Sequence, residues 1–265
     1  MKKYSEIVKQ IEQDKKTMEI LPTGLLVLDD LLEGGFIKKE LVVLGGKTGG
    51  GKSLLAGTLF YNMAKSGCKS AYFSLEIASQ MVVSRLIGAK ADISPTRLMI
   101  HELAKNEEKA RDAADAEVGT WEEFMDFYDD LYILNAIETA IRDNKYDFVV
   151  IDFIQNIRMG NKEEYERLSE IALSLQKLAK EVNCCILAVS QLSNIMAKEK
   201  KTSDIVEYKG SGAIGHAADL AFFIEAGRAG EGSLSLKLRK NRRGISGTSL
   251  SFMIKQPGGR IIELS

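Results

Sequence analysis

The sequence is short of punctuation and of soft metal ligands. Only three prolines occur in 265 residues, which excludes a long proline-rich spacer. The cysteines are Cys68, Cys184 and Cys185, an odd number with spacing that suits neither a disulfide framework nor a zinc site. Adjacent Cys184 and Cys185 read as strand residues pointing to opposite faces. The two histidines, His101 and His216, are isolated, and neither is assigned a ligand role. No apolar run approaches the ~18 residues that a membrane span needs. The N-terminal MKKYSEIVKQIEQDKK has no apolar core, so it does not read as a signal peptide. A reduced, cytoplasmic protein with no membrane partner is expected. Excess charge is absent too. Lys+Arg 36 against Asp+Glu 37 leaves a net charge of -1, so any nucleic-acid site must be a local patch.

What is present is a full core. Hydrophobic residues make up 45% of the chain, and the length suits one large domain, or a domain plus a short appendage, better than two domains. Tyr4, Ile7, Val8 and Ile11 form a narrow apolar stripe on a first helix that Ser5 can cap, followed by the polar run Gln13–Lys16. The boundary is therefore placed between an N-terminal helix over 1–19 and a globular body over 20–265. In the body, strands alternate with helices. Leu41–Leu44 and Ala71–Ser74 read as buried strands, with helices over about 52–64 and up to about Gly88. Ser94-Pro95 starts a further helix, with Ser as cap. Phe148–Ile151 and Ile186–Val189 are strands separated by a helix over about 163–182. After Asp219, four strand-like runs follow one another with Gly-rich turns. The pattern predicts an α/β fold: a doubly wound, mostly parallel sheet with antiparallel strands added at the C-terminal end.

The strongest chemical signal is the segment Gly46, Lys47, Thr48, Gly49, Gly50, Gly51, Lys52, Ser53, which satisfies G-x-x-x-x-G-K-S/T. Glycines let backbone N–H groups converge on phosphate oxygens, and the following helix, from Lys52, Ser53 and Leu54 onward, brings its positive N-terminal end to the anion. Lys52 can reach the β- and γ-phosphates, and the Ser53 hydroxyl can bind Mg²⁺. ATP and Mg²⁺ are the cofactors this implies. Asp152 ends an apolar strand, where an acid can orient a water on Mg²⁺; a turn-capping Asp is the bland alternative. Glu76 follows Phe73-Ser74-Leu75, where a carboxylate can polarise an attacking water, although acids also favour helix starts. Gln191 follows the strand at Ile186–Val189 and can sense a phosphate or do nothing; the residues alone leave this open.

Two basic stretches stand out. Lys237, Arg239, Lys240, Arg242 and Arg243 put five cations into seven residues, fit either to bind phosphate or to form a solvated sheet edge. Lys198, Lys200, Lys201 and Lys209 lie in a long polar segment, most simply a solvated loop. The acidic stretch 107–130 reads as a solvated helical face, with Trp121, Phe124, Phe127 and Tyr128 turned to the core.

Taken in order, these segments resemble a family. Leu21-Pro22-Thr23-Gly24 with Leu28-Asp29 and Gly34-Gly35 is similar to the approach to the phosphate loop in RecA-type ATPases. SLE at Ser74–Glu76, VVIDFIQNIR at Val149–Arg158, AVSQLS at Ala188–Ser193, GSGAI at Gly210–Ile214 and KNRRG at Lys240–Gly244 resemble the motor domain of DnaB-type replicative helicases. The resemblance runs from about residue 20 to the end. It implies a hexameric ring, with ATP between subunits, that moves 5′–3′ along single-stranded DNA. Glu76 is then the hydrolytic base, Asp152 the acid of the second nucleotide motif, and Gln191 the link from phosphate to the DNA loops. Arg85 lies near the nucleotide, and Lys240 and Arg242 reach the γ-phosphate of the neighbouring subunit. Arg158, Lys162, Lys209, Gly210, Ser211 and Gly212 become single-strand backbone contacts. The helix at Tyr4–Ile11 resembles the linker helix that docks on the adjacent subunit. A helicase loader or a primase is an implied partner.

There are departures. The family's N-terminal helical domain, which contacts primase, has no counterpart in these residues. Lys209-Gly210 stands where the family usually has Arg-Glu, and Gly215-His216-Ala217 where it carries acidic and amide residues. A second reading therefore stands beside the helicase: a RecA-like ATPase that assembles on DNA or partners as a nucleotide switch without unwinding.

Overall fold

The computed structural model of the chain describes residues 3–160, 162–191, 212–227 and 232–264. It begins with α1 (Tyr4–Thr17), on which Tyr4, Ile7, Val8 and Ile11 are all exposed. Ser5 does not cap this helix. The helix starts two residues earlier, with Lys3 at the cap position, and the Glu6 carboxylate accepts the Lys3 N–H at 2.8 Å. A small hairpin of β1 (Ile20–Leu21) and β2 (Phe36–Ile37) encloses α2 (Leu26–Leu31).

The body then alternates. β3 (Leu41–Gly46) leads into α3 (Lys52–Lys65), and β4 (Ser70–Ser74) into α4 (Ser79–Ala91), α5 (Pro95–Ile100) and α6 (Lys105–Gly119). Pro95 opens α5 as expected, but the Ser94 side chain makes no capping bond. Next come β5 (Met125–Tyr128), α7 (Leu134–Asn144), β6 (Phe148–Asp152), α8 (Glu164–Val182) and β7 (Cys185–Gln191). The chain ends with α9 (Gly212–Ala217), β8 (Leu220–Ala226), β9 (Ser233–Asn241), β10 (Ser249–Lys255) and β11 (Arg260–Glu263).

Nine strands form one sheet in the order β11-β10-β9-β8-β3-β7-β6-β4-β5. The expected doubly wound, mostly parallel sheet is present. β8 pairs parallel with β3, so only β9, β10 and β11 are the antiparallel addition. Period-two alternation divides the core between the two faces. Val42, Leu44, Tyr72, Val150 and Cys185 pack with Leu55, Leu59 and Phe60 of α3. Leu41, Val43, Phe73, Ile151 and Cys184 pack with residues of α7, α8 and α9. Each fully buried large side chain contributes about 1.5–3 kcal/mol.

The acidic stretch is only partly helical. α6 ends at Gly119, and Met-Asp-Phe-Tyr forms the edge strand β5. Phe127 meets Phe60 edge-on and Tyr128 stacks on Phe73, as core-facing residues should. The charges beside them have local tasks. Asp126 accepts the Tyr146 hydroxyl at 2.6 Å, and Asp129 accepts both the Ser79 N–H and hydroxyl at the start of α4. Four residues interrupted by the acid Asp126 carry too little apolar pattern to read as a strand.

Candidate functional site

The phosphate-loop segment sits where β3 ends and α3 begins, between β7 and β8 on either side. Two of its glycines are required by space and backbone. A side chain on Gly46 would meet the Ile224 carbonyl oxygen at 2.6 Å, and Gly51 has φ +87 with Leu234 Cδ1 2.6 Å from where a Cβ would lie. Gly50 N–H and Lys52 Nζ both donate to the Lys47 carbonyl, at 3.1 and 2.8 Å. The loop is therefore wound tightly on itself, with the Lys52 amine at its mouth. Burial lowers the Lys52 pKa, and the Asp152 and Glu76 carboxylates oppose that shift.

Parallel register brings the other candidates to the same end of the sheet. Gly46 pairs with Gln191, and Asp152 with both Val189 and Ser74. This carboxyl-end crevice is the ligand edge of an open α/β sheet. The Gln191 amide bonds to the Thr48 hydroxyl across it. Asp152 is buried, and its Oδ2 accepts the Tyr72 hydroxyl at 2.7 Å. Its Oδ1 has no hydrogen-bond partner among the described residues. Glu76 is exposed in the turn after β4. Arg85 lies on α4 and lines a small cavity with Ser53, Leu54, Gly57 and Tyr72. Burial, then the neighbouring Asp152 charge, pushes the Tyr72 hydroxyl well above its ordinary pKa, so it remains a donor.

Lys240 and Arg242 stand at the other end of the sheet. Asn241 pairs with Leu220, which pairs with Val42 near the start of β3, whereas Gly46 pairs with Ile224. The two ends of β3 are separated by roughly 16 Å at about 3.3 Å per residue. Lys240 Nζ donates to the Gly215 and His216 carbonyls at 2.9 Å, and Arg242 to the His216 carbonyl and Asp219 Oδ1, also at 2.9 Å. Both cations thus sit at the carbonyl end of α9, where positive charge is favoured. Burial, then the Arg242 charge, lowers the Lys240 pKa. The solvated-edge reading of this cluster fails, because β10 covers β9 and Arg239 lies over the Phe223 ring.

Of the residues expected to contact DNA, only some lie among the described residues. Arg158 is exposed, with its guanidinium 5.4 Å from the Tyr132 ring centre. Lys162 pairs with Glu170 on the surface, which raises its pKa. Gly212 opens α9. Lys209, Gly210 and Ser211 lie outside the described residues, as do Lys198, Lys200 and Lys201.

Comparison with known proteins decides the family. Residues 21–256 match the family model "DnaB-like helicase C terminal domain". The chain belongs to this family. The "Replicative DNA helicase DnaB" of Treponema pallidum is 30% identical over 239 residues, covering 86% of this chain and 52% of that protein. The chain therefore spans about half the length of that curated relative. Two solved structures share the fold at 20% identity. One, described as an ATPase domain, superposes with a TM-score of 0.87 over the whole of both chains. The other, "The Structure Of A DnaB-Like Replicative Helicase And Its Interactions With Primase", gives 0.86, over all of this chain and 68% of that one. The DnaB-like family implies nucleotide-dependent ATPase chemistry, and the expected RecA-like fold is found.

Sequence reasoning passed over three residues that organise the two ends of this sheet. Gln155 donates to the Ser190 hydroxyl and the Gln191 carbonyl, at 3.0 and 2.8 Å, and so ties the end of β6 to the end of β7. Asp219 accepts the Leu41 N–H and holds Arg242. Tyr72 holds Asp152. The available signal was a polar group inside or beside an apolar strand, where an unpaired hydroxyl or amide is costly.

Proposed function

We propose that this chain is the ATP-hydrolysing motor of a hexameric replicative DNA helicase, moving 5′–3′ on single-stranded DNA in the cytoplasm, at a replication fork. The observation that carries the reading is the position of Lys240 and Arg242. They lie at the opposite sheet end from the chain's own Lys52, so a phosphate they touch belongs to another subunit. That is the logic of an arginine finger supplied in trans. The family's replicative relatives support this reading.

On this reading ATP phosphates lie over the 46–54 loop and helix start, with Lys52 on the β- and γ-phosphates and Arg85 nearby. Ser53 and Asp152 suit Mg²⁺, because Asp152 Oδ1 is buried with no bond among the described residues and Mg²⁺ needs only one or two protein oxygens beside water and phosphate. Held there by Ser53 and Asp152, Mg²⁺ would supply charge neutralisation for the phosphates. Glu76 takes the proton of the attacking water. Gln191 links the phosphate loop, through Thr48, to the segment after β7. Arg158, Lys162, Lys209, Gly210, Ser211 and Gly212 hold the DNA backbone, a salt-sensitive and sequence-tolerant mode. α1 is a docking helix for the adjacent subunit, separate from the motor over 20–265. A helicase loader or primase is a further partner; one structure of similar fold is described with primase.

The test is ATPase rate with and without single-stranded DNA, measured alongside native mass. A DNA-stimulated hexamer is expected, with strand displacement only on forks of one polarity. A monomer with no DNA response overturns the helicase and leaves the nucleotide-switch reading.

A further inference from the structure

Among the apolar side chains of β4, Tyr72 is out of pattern: it is fully buried and carries a hydroxyl. Burying a hydroxyl without a partner costs about 1–3 kcal/mol, so its partner is informative. Tyr72 pairs in register with Val150, two residues before Asp152 on the adjacent strand. Side chains two apart share a face, so Tyr72, Val150 and Asp152 all point toward α3, the helix that begins at Lys52 and Ser53. The ring is fixed from that side. Phe60 of α3 meets it edge-on, with centroids 5.5 Å apart and planes at 84°. The hydroxyl is thereby aimed at Asp152 Oδ2, at 2.7 Å.

The two oxygens of Asp152 are treated differently. Oδ2 is engaged by Tyr72, while Oδ1 is buried and bonded to nothing among the described residues. Leaving a buried carboxylate oxygen bare is costly unless a bound group supplies the donor. Tyr72 also lines the cavity that Ser53 and Arg85 share, so the residue that holds Asp152 borders the same space as Ser53.

From this geometry we infer that Tyr72 is a positioning residue: it locks the Asp152 carboxylate so that Oδ1 alone is presented to the hydrated Mg²⁺ of the bound nucleotide. The inference rests on the proposed ATP site and deepens it. A carboxylate held in one rotamer offers its oxygen without ordering cost on binding. A carboxylate without that tether can turn either oxygen, or neither, to the metal's water.

The experiment uses Tyr72→Phe, which removes only the hydroxyl, in the full chain. Binding of a fluorescent N-methylanthraniloyl-ATP is titrated against Mg²⁺ and repeated in EDTA. Wild type serves as the control for the site itself: if its nucleotide binding does not respond to Mg²⁺, the ATP-site reading fails, whatever the variant does. Given a wild-type response, Tyr72→Phe should need about 3- to 10-fold more Mg²⁺ for half-maximal binding, with affinity in EDTA unchanged, as expected for losing one charge-assisted hydrogen bond. An unchanged Mg²⁺ midpoint overturns the proposal. An equal loss with and without Mg²⁺ also overturns it, since that is the signature of packing alone. A double-mutant cycle with Asp152→Asn separates the two roles. Tyr72→Phe should add no further Mg²⁺ shift on the Asp152→Asn background, and an additive shift would show that Tyr72 acts through some other group. If Tyr72→Phe unfolds, the hydroxyl serves the fold rather than the metal, and the proposal is overturned.

Discussion

Arg242 donates to Asp219 Oδ1 at 2.9 Å, and the other oxygen of Asp219 accepts the N–H of Leu41, the first residue of the strand that leads to the phosphate loop. Asp219 therefore ties the basic end of β9 to the foot of β3. The same arginine bonds the carbonyl end of α9, the short helix before β8. A phosphate from a neighbouring subunit would compete for that guanidinium. Arg242→Ala should keep nucleotide binding and lower turnover about 10³-fold, as removal of an arginine finger does. Mixed with wild type, it should depress activity beyond simple dilution. Unchanged hydrolysis in the variant would refute the role in trans.

Glu76 is exposed and makes no hydrogen bond or ion pair among the described residues, so a change there reports on chemistry. Glu76→Gln should bind ATP as wild type does and hydrolyse it about 10²–10³-fold more slowly, the usual contribution of a general base. Its melting temperature should stay close to wild type, because surface substitutions cost at most about 0.5 kcal/mol. Normal turnover would assign the proton to another group.

Much of this was readable in the sequence, and the exceptions share a cause. The run Leu41–Leu44 and the glycine-rich loop after it report local geometry, so strand, loop and helix appear where expected. Long periodic segments such as α8 also carry their own pattern. β5 did not, because Asp126 interrupts its four residues and its pairing with β4 comes from residues far away in sequence. The parallel placement of LAFFIEA beside β3 was likewise invisible, since an apolar run states that a strand is buried and not which neighbour it takes. At the candidate site, motif spacing points to Lys52 and Ser53, and the end of an apolar strand points to Asp152. Tyr72, Gln155 and Asp219 were missed because their roles exist only across strands.

Gln191 offers a test of coupling. Its amide is bonded to Thr48 in the phosphate loop, and its backbone is held by Gln155. The segment that follows leads toward the residues proposed to hold DNA. Gln191→Ala removes the amide and leaves the backbone bonds to Gln155 in place. The ratio of ATPase rates with and without single-stranded DNA should collapse toward one. A ratio equal to wild type would mean that the signal passes elsewhere.

α1 makes the last claim separable from folding. Ile7 and Ile11 are 46% and 53% exposed, so neither supports the chain's own core. An apolar stripe left in water on a helix invites a partner surface, and here the proposed partner is the adjacent subunit of the ring. Ile7→Asp combined with Ile11→Asp should leave the melting temperature of the isolated subunit near wild type. Burying two charges at the docking surface should cost several kcal/mol per interface. Native mass should then shift from hexamer to monomer, and DNA-stimulated hydrolysis should disappear with it, because Arg242 would lose the neighbour whose phosphate it is proposed to serve. A hexamer that persists in this variant would remove α1 from the interface and leave the ring to be held by the motor domains alone.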